Sequence, residues 1–202
     1  MDDKRIMIIK AARQLLEEGG QVTIDKVAAA AGVAKGTVYL YFDSKLDLIR
    51  QTFLNSIEEL YTAVDSAAVE TAGSSFERIS AMVECHYKLS VGKVILMQRI
   101  MAEEPEMMRN MHRGVPHNVI RSIQRIEKRY EQELARGMES GEFRPHQTEI
   151  IAAALMSMIQ NLSVGKMFGR QLDEEKIVPE VLKMVLTGIA AQSGLPTKQE
   201  EL

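Results

Sequence analysis

Apolar residues recur at three- and four-residue steps along almost the whole chain, and no segment shows a convincing period-two alternation. That spacing lays one apolar stripe along a helix, whereas a half-buried strand needs alternation. Ile6, Ile9, Ala12 and Leu16 make the first stripe. Leu46, Ile49, Phe53, Ile57, Leu60 and Val64 make a longer one. The chain must therefore bury helices against helices. Its side chains agree. Hydrophobic residues are 46% of the 202, yet Trp is absent and Tyr and Phe number five each. Ala, Met, Leu and Ile are left to fill the core, and these favour helix over sheet.

Punctuation residues divide the helical pattern. Gly19 and Gly20 end a first helix. Thr23 caps a second over 24–31, which stops at Gly32. A third of barely two turns spans 35–41. Asp43 and Ser44 open a fourth that runs to about residue 71. After Gly73, Ser74 and Ser75 a fifth is expected over 76–90, with Gly92 as a break and a sixth over 93–102. Pro105 opens a Met-rich segment, and Gly114 and Pro116 break the chain again. A long helix then runs to about Ser140, closed by Gly141 and Pro145. Two more are expected over 146–168 and 174–192. The expected fold is all-α with about nine helices. A three-helix N-terminal domain occupies 1–46, and a helical C-terminal domain occupies 47–202.

Several function classes find no support. Cys85 is the single cysteine, so no internal disulfide can form and a reducing compartment fits best. The apolar run near the start, Ile6 to Ile9, is too short for a signal-peptide core, and no stretch reaches membrane-spanning length. A cytosolic protein without membrane contact is expected. His86, His112, His117 and His146 are scattered and give no zinc spacing. No nucleophile motif, phosphate loop or dinucleotide fingerprint occurs. Neither an enzyme nor a metal or cofactor site is expected. The net charge of -3 does not exclude nucleic acid, because only a docking face need be positive.

The informative stretch is TIDKVAAAAGVAKGTVYLYFDSKLDL, residues 23–48. Ala28, Ala29 and Ala31 let a neighbouring helix approach closely. Gly32 permits the left-handed backbone of a tight turn between helices. Val27, Val33 and Val38 supply a small core. The third helix is too short to stand alone and must be held by packing, as a recognition helix is held toward a major groove. Lys35 puts a cation at its start. Gly36 leaves its backbone N–H open to a phosphate. Thr37, Tyr39 and Tyr41 offer hydroxyl donors to phosphates or base edges. Residues 39 and 41 lie about 200° apart on a helix and cannot share one face. Phe42 is expected to plug the core. Lys45 sits in the first turn of the next helix, where a phosphate is also favoured.

These residues closely resemble the signature of the TetR family of bacterial transcriptional regulators. In that signature a Thr-capped helix is followed by Ala-Gly-Val, here 31–33. Gly-Thr-hydrophobic-Tyr-x-Tyr/His-Phe follows, here 36–42 with Tyr41 at the Tyr/His position, and then Ser-Lys, here 44–45. The resemblance covers about a quarter of the chain. It implies a ligand-responsive repressor that binds a palindromic double-stranded operator through Thr23, Lys35, Gly36, Thr37, Tyr39, Tyr41 and Lys45. It also implies a C-terminal domain that binds a small effector and forms the homodimer.

The residues outside the motif supply candidates for both tasks. Of thirteen methionines, Met97, Met101, Met107, Met108 and Met111 cluster. Methionine is flexible and polarisable and can line an adaptable apolar cavity, although plain core filling uses it equally. Met82, His86, Met97, Met101, Met108 and Met111 are the candidate effector residues, and a lipophilic ligand suits them. The helix 174–192 is apolar over more than one stripe, through Val178, Val181, Val185 and Ile189 among others. Ala153, Ser157 and Asn161 form a strip of small residues on the helix before it. These seven are the candidate dimer contacts. The competing reading is a DNA-binding adaptor whose C-terminal domain takes a protein partner instead of a small molecule.

Overall fold

The computed structural model describes residues 3–19, 21–104, 117–165 and 168–189, with the side chains of Asn118, Val119, Glu174 and Ile189 left aside. The described residues form eight helices and no strand: α1 (Asp3–Glu17), α2 (Ile24–Ala30), α3 (Lys35–Tyr41), α4 (Lys45–Glu70), α5 (Ser75–Glu103), α6 (His117–Glu139), α7 (Thr148–Gly165) and α8 (Glu174–Ile189).

Local chemistry explains most helix ends. The Thr23 hydroxyl accepts from the Lys26 N–H at 3.2 Å and starts α2. Gly32, at φ +66°, turns the chain from α2 toward α3. Ser44 caps α4 by accepting from the Asp47 N–H at 3.0 Å. Ser74 and Glu77 form a reciprocal capping box at α5, which satisfies two N–H groups that a helix end leaves orphaned. Glu142 adds a long-range cap there, accepting from the Ser75 and Phe76 N–H groups at 2.8 and 2.7 Å.

One expectation fails. Gly92 does not break the chain, and the helices expected over 76–90 and 93–102 are one continuous helix of 29 residues. A glycine inside a helix costs only about 1 kcal/mol relative to alanine. Here no proline or capping residue follows it. Burial of Ser90, Val94 and Leu96 around the site carries the hydrogen-bond ladder across.

The apolar residues gather into two clusters. The N-terminal one joins α1, α2 and α3 through Ile8, Leu16, Val27, Val38 and Phe42, and takes in Leu48 and Ile49 of α4. It also includes Leu96 and Ile100, from the far end of α5. The second joins α4 to α8 through Leu60, Val64, Ile79, Met82, Tyr130, Leu134, Leu155, Ile159 and Leu186. Both α4 and α5 thus pass through both cores, and they pack on each other more extensively than any other helix pair. A buried carboxylate reinforces the second core. Glu133 is enclosed and pairs with Arg78 at 2.8 Å, Arg129 at 3.1 Å and Arg136 at 2.7 Å. Such a charge is tolerated only when paired this fully.

Candidate nucleic-acid interface and effector face

The turn between α2 and α3 presents α3 to solvent on the side away from Val38, which is buried in the N-terminal core. Tyr39 is 51% exposed and Leu40 82% exposed. Tyr41 is partly buried and packs on that core, its ring 6.5 Å from that of Phe42, which is buried. The two tyrosines therefore face apart, as their spacing requires. Gly36 is exposed, and a Cβ there would meet nothing within 4 Å, so its backbone is open to a close partner. Thr37 is partly buried in the first turn, its N–H donating to Ala34 O at 2.9 Å. Thr23 is partly buried and committed to its cap.

The two candidate lysines are both paired within the chain. Lys35 Nζ lies 2.9 Å from Asp25 on α2, and that hydrogen bond and charge raise its pKa above the ordinary lysine value. Lys45 Nζ lies 3.2 Å from Glu103 and 2.8 Å from Glu104 at the end of α5. Burial works against the Lys45 charge, but the hydrogen bonds and charges of Glu104 and Glu103 outweigh it and raise its pKa. Glu103 also accepts from the Val22 N–H at 3.3 Å. The last turn of α5 is thus bonded both to the strap before α2 and to the first turn of α4. Sequence reasoning missed this clamp, because its partners lie 58 and 81 positions apart. It also missed Leu40, whose apolar side chain gave no sign of exposure, and Arg5, which lies over the Phe42 ring at 5.6 Å.

The candidate effector residues separate into two environments. Met82 is buried in the second core. His86 is also buried, stacks on Tyr130 of α6 and has its Nδ1 3.3 Å from the Tyr130 hydroxyl. Burial, with the charge of Lys93 nearby, pushes His86 down to about 3, so its ring is neutral at physiological pH. Met97 and Met101 are partly buried on α5. Met108 and Met111 lie outside the described residues.

Of the candidate dimer contacts, Ser157 and Asn161 are exposed on α7, and Ala153 is partly buried. Asn161 Oδ1 accepts from Arg170 at 3.4 Å. On α8, Val178 and Val185 are partly buried, but Val181 is 6% exposed within the chain's own core and has little surface left to offer. The side chain of Ile189 lies outside the described residues. The apolar groups that do face outward here are Ile150 on α7 and Met184 on α8, 61% and 60% exposed.

Residues 8–52 match the model of the bacterial regulatory proteins, tetR family. The fatty acid metabolism regulator protein of Bacillus subtilis is 32% identical over 91 residues, which is 44% of this chain and 46% of that protein. An HTH-type transcriptional regulator of the same organism, YdeS, is 39% identical over 74 residues, 36% of this chain and 34% of that one. Residues 8–52 are thus similar to the N-terminal segment of TetR-family regulators. The matched stretches span less than half the length of either curated relative. Over the whole molecule the chain shares its fold with solved structures, among them two FadR regulators. One is the fatty acid degradation regulator FadR from Bacillus halodurans, with TM-score 0.66, 24% identity, and coverage of 92% of this chain and 96% of that one. The other is the transcriptional regulator FadR from Bacillus subtilis in complex with stearoyl-CoA, with TM-score 0.64, 21% identity, and coverage of 91% and 98%. Among the described residues, no helix is long and apolar enough to cross a membrane.

Proposed function

We propose that the protein is a dimeric transcriptional repressor that leaves a palindromic operator when a lipophilic effector, an acyl chain with a polar head, binds among α5, α6 and their neighbours. The observation that carries this reading is the course of α5. One part of the helix holds His86 against Tyr130 in the second core, and its far end contributes Leu96 and Ile100 to the core that carries α3. A ligand against α5 therefore acts on the same rigid element that positions the DNA-binding helices. The stearoyl-CoA in the Bacillus subtilis neighbour supports the effector class.

Two recognition helices on one dimer read successive major grooves, with half-sites about one helical turn apart. A displacement of a few ångströms in one then costs contacts in both. The test is selection of binding sequences from random DNA, followed by titration of the selected duplex with long-chain acyl-CoA. A two-fold symmetric site released by the acyl-CoA is expected. Enrichment of no sequence, or a complex indifferent to acyl compounds of every chain length, would overturn the proposal.

A further inference from the structure

Two polar groups on α5 have no hydrogen-bond or ion-pair partner among the described residues. Ser90 is 1% exposed, and its hydroxyl has no hydrogen-bond partner. Lys93 is partly buried and makes no ion pair among the described residues. Positions 86, 90, 93 and 97 follow one another at steps of four, three and four, so they share one face of the helix with His86 and Met97. Lysine side chains on a helix lean toward its N-terminus, and the Lys93 charge is felt at His86 seven residues earlier. Burial alone pushes the Lys93 ammonium down to about 8. Two other charges that burial desolvates, Lys45 and Glu133, are matched. Lys45 has two carboxylates and Glu133 has three guanidinium groups. A buried hydroxyl and a desolvated ammonium, side by side and unmatched, are expected where a ligand completes the hydrogen bonding.

We propose that Ser90 and Lys93 receive the head of the effector, an anionic oxygen group on an apolar chain, with the chain lying along Met97 and Met101. The ammonium gives a charge-assisted hydrogen bond to the anion and the hydroxyl gives a neutral one. The flexible methionines accommodate the chain. The neutral imidazole of His86 lies further along the same face, against the Tyr130 hydroxyl of α6, and neither adds negative charge. This assignment deepens the proposed function and rests on its placing of the effector against α5.

The anion can be a carboxylate or a phosphate, and the experiment separates them. Calorimetric titration of the full chain uses dodecanoate, dodecyl phosphate and neutral 1-dodecanol, against wild type, Lys93→Met, Lys93→Arg and Ser90→Ala. Wild type is expected to bind at least one anion 10-fold or more tighter than the alcohol, and the tighter anion identifies the source. Lys93→Met should lose that preference while binding the alcohol as well as before. Lys93→Arg should restore part of it, and Ser90→Ala should weaken the anion roughly fivefold. Lys93→Met should also melt no lower than wild type, since it removes a charge without a partner. Equal binding of anion and alcohol by wild type, or unchanged anion binding in both Lys93→Met and Ser90→Ala, overturns the assignment. Failure of the functional reading looks different. The anion preference and its loss in Lys93→Met would persist, with no operator bound or none released.

Discussion

Lys45 illustrates how a single side chain links the two halves of the molecule. Its ammonium bonds to Glu103 and Glu104 at the end of α5, yet it stands in the first turn of α4, just after α3. To reach a phosphate it must leave two carboxylates. Replacing both with glutamine should raise operator affinity several-fold. It should also steepen the dependence of log affinity on log salt by about 1.8 for a dimer, as two further cations engage. Unchanged affinity and slope, by fluorescence anisotropy across a salt series, would show that the pair does not restrain Lys45. A pH effect belongs to this scale as well. His86 is held near 3 in the folded chain against 6.5 when free. Above pH 6.5 it is neutral in both states and contributes no pH dependence. As pH falls from 6.5 toward 3, the unfolded chain takes up a proton that the folded chain refuses, so stability is lost. By pH 5 this amounts to about 2 kcal/mol. Wild type should therefore lose stability on acidification faster than His86→Gln in parallel denaturant melts, and parallel curves would refute it.

At the scale of helices, α2 and α3 were legible because their determinants are local. Thr23 caps within three residues, Gly32 adopts its positive φ, and Val27 and Val38 meet across a short turn. Thr23→Ala should cost about 1 kcal/mol of stability and loosen α2. Gly92 was misread because a glycine's backbone preference is weak beside the burial of the residues around it. Since a Cβ at Gly92 would meet nothing within 4 Å and the position is exposed, Gly92→Ala should stabilise the chain by about 1 kcal/mol. A lower melting temperature would mean that α5 needs its glycine. Ser90 and Lys93 could not be singled out from sequence. Their interest lies in what fails to pair with them, and that depends on helices distant in the chain. Met82 and Val181 were singled out by residue type, and both are buried in the second core.

For the whole molecule, the features that matter are the two cores and the two helices that traverse them. Dimerisation was expected from α7 and α8, and Ile150, Met184 and the partly buried Val185 are apolar groups there with surface left to make it. Met184→Glu with Val185→Glu should give monomers in sedimentation with helical content retained, and an unchanged dimer would place the interface elsewhere. In the proposed function effector and operator compete through α5, and linkage makes that competition quantitative. A ligand that favours the DNA-incompetent form about 100-fold shifts the equilibrium by about 2.7 kcal/mol, and operator must weaken that ligand by the same factor. Calorimetric titration of the protein with a long-chain acyl-CoA, alone and saturated with operator, measures that factor directly. A weaker affinity on operator, matching the loss of DNA affinity caused by the acyl-CoA, is the expected result. Equal affinity in the two titrations would contradict it, however tightly the acyl-CoA bound.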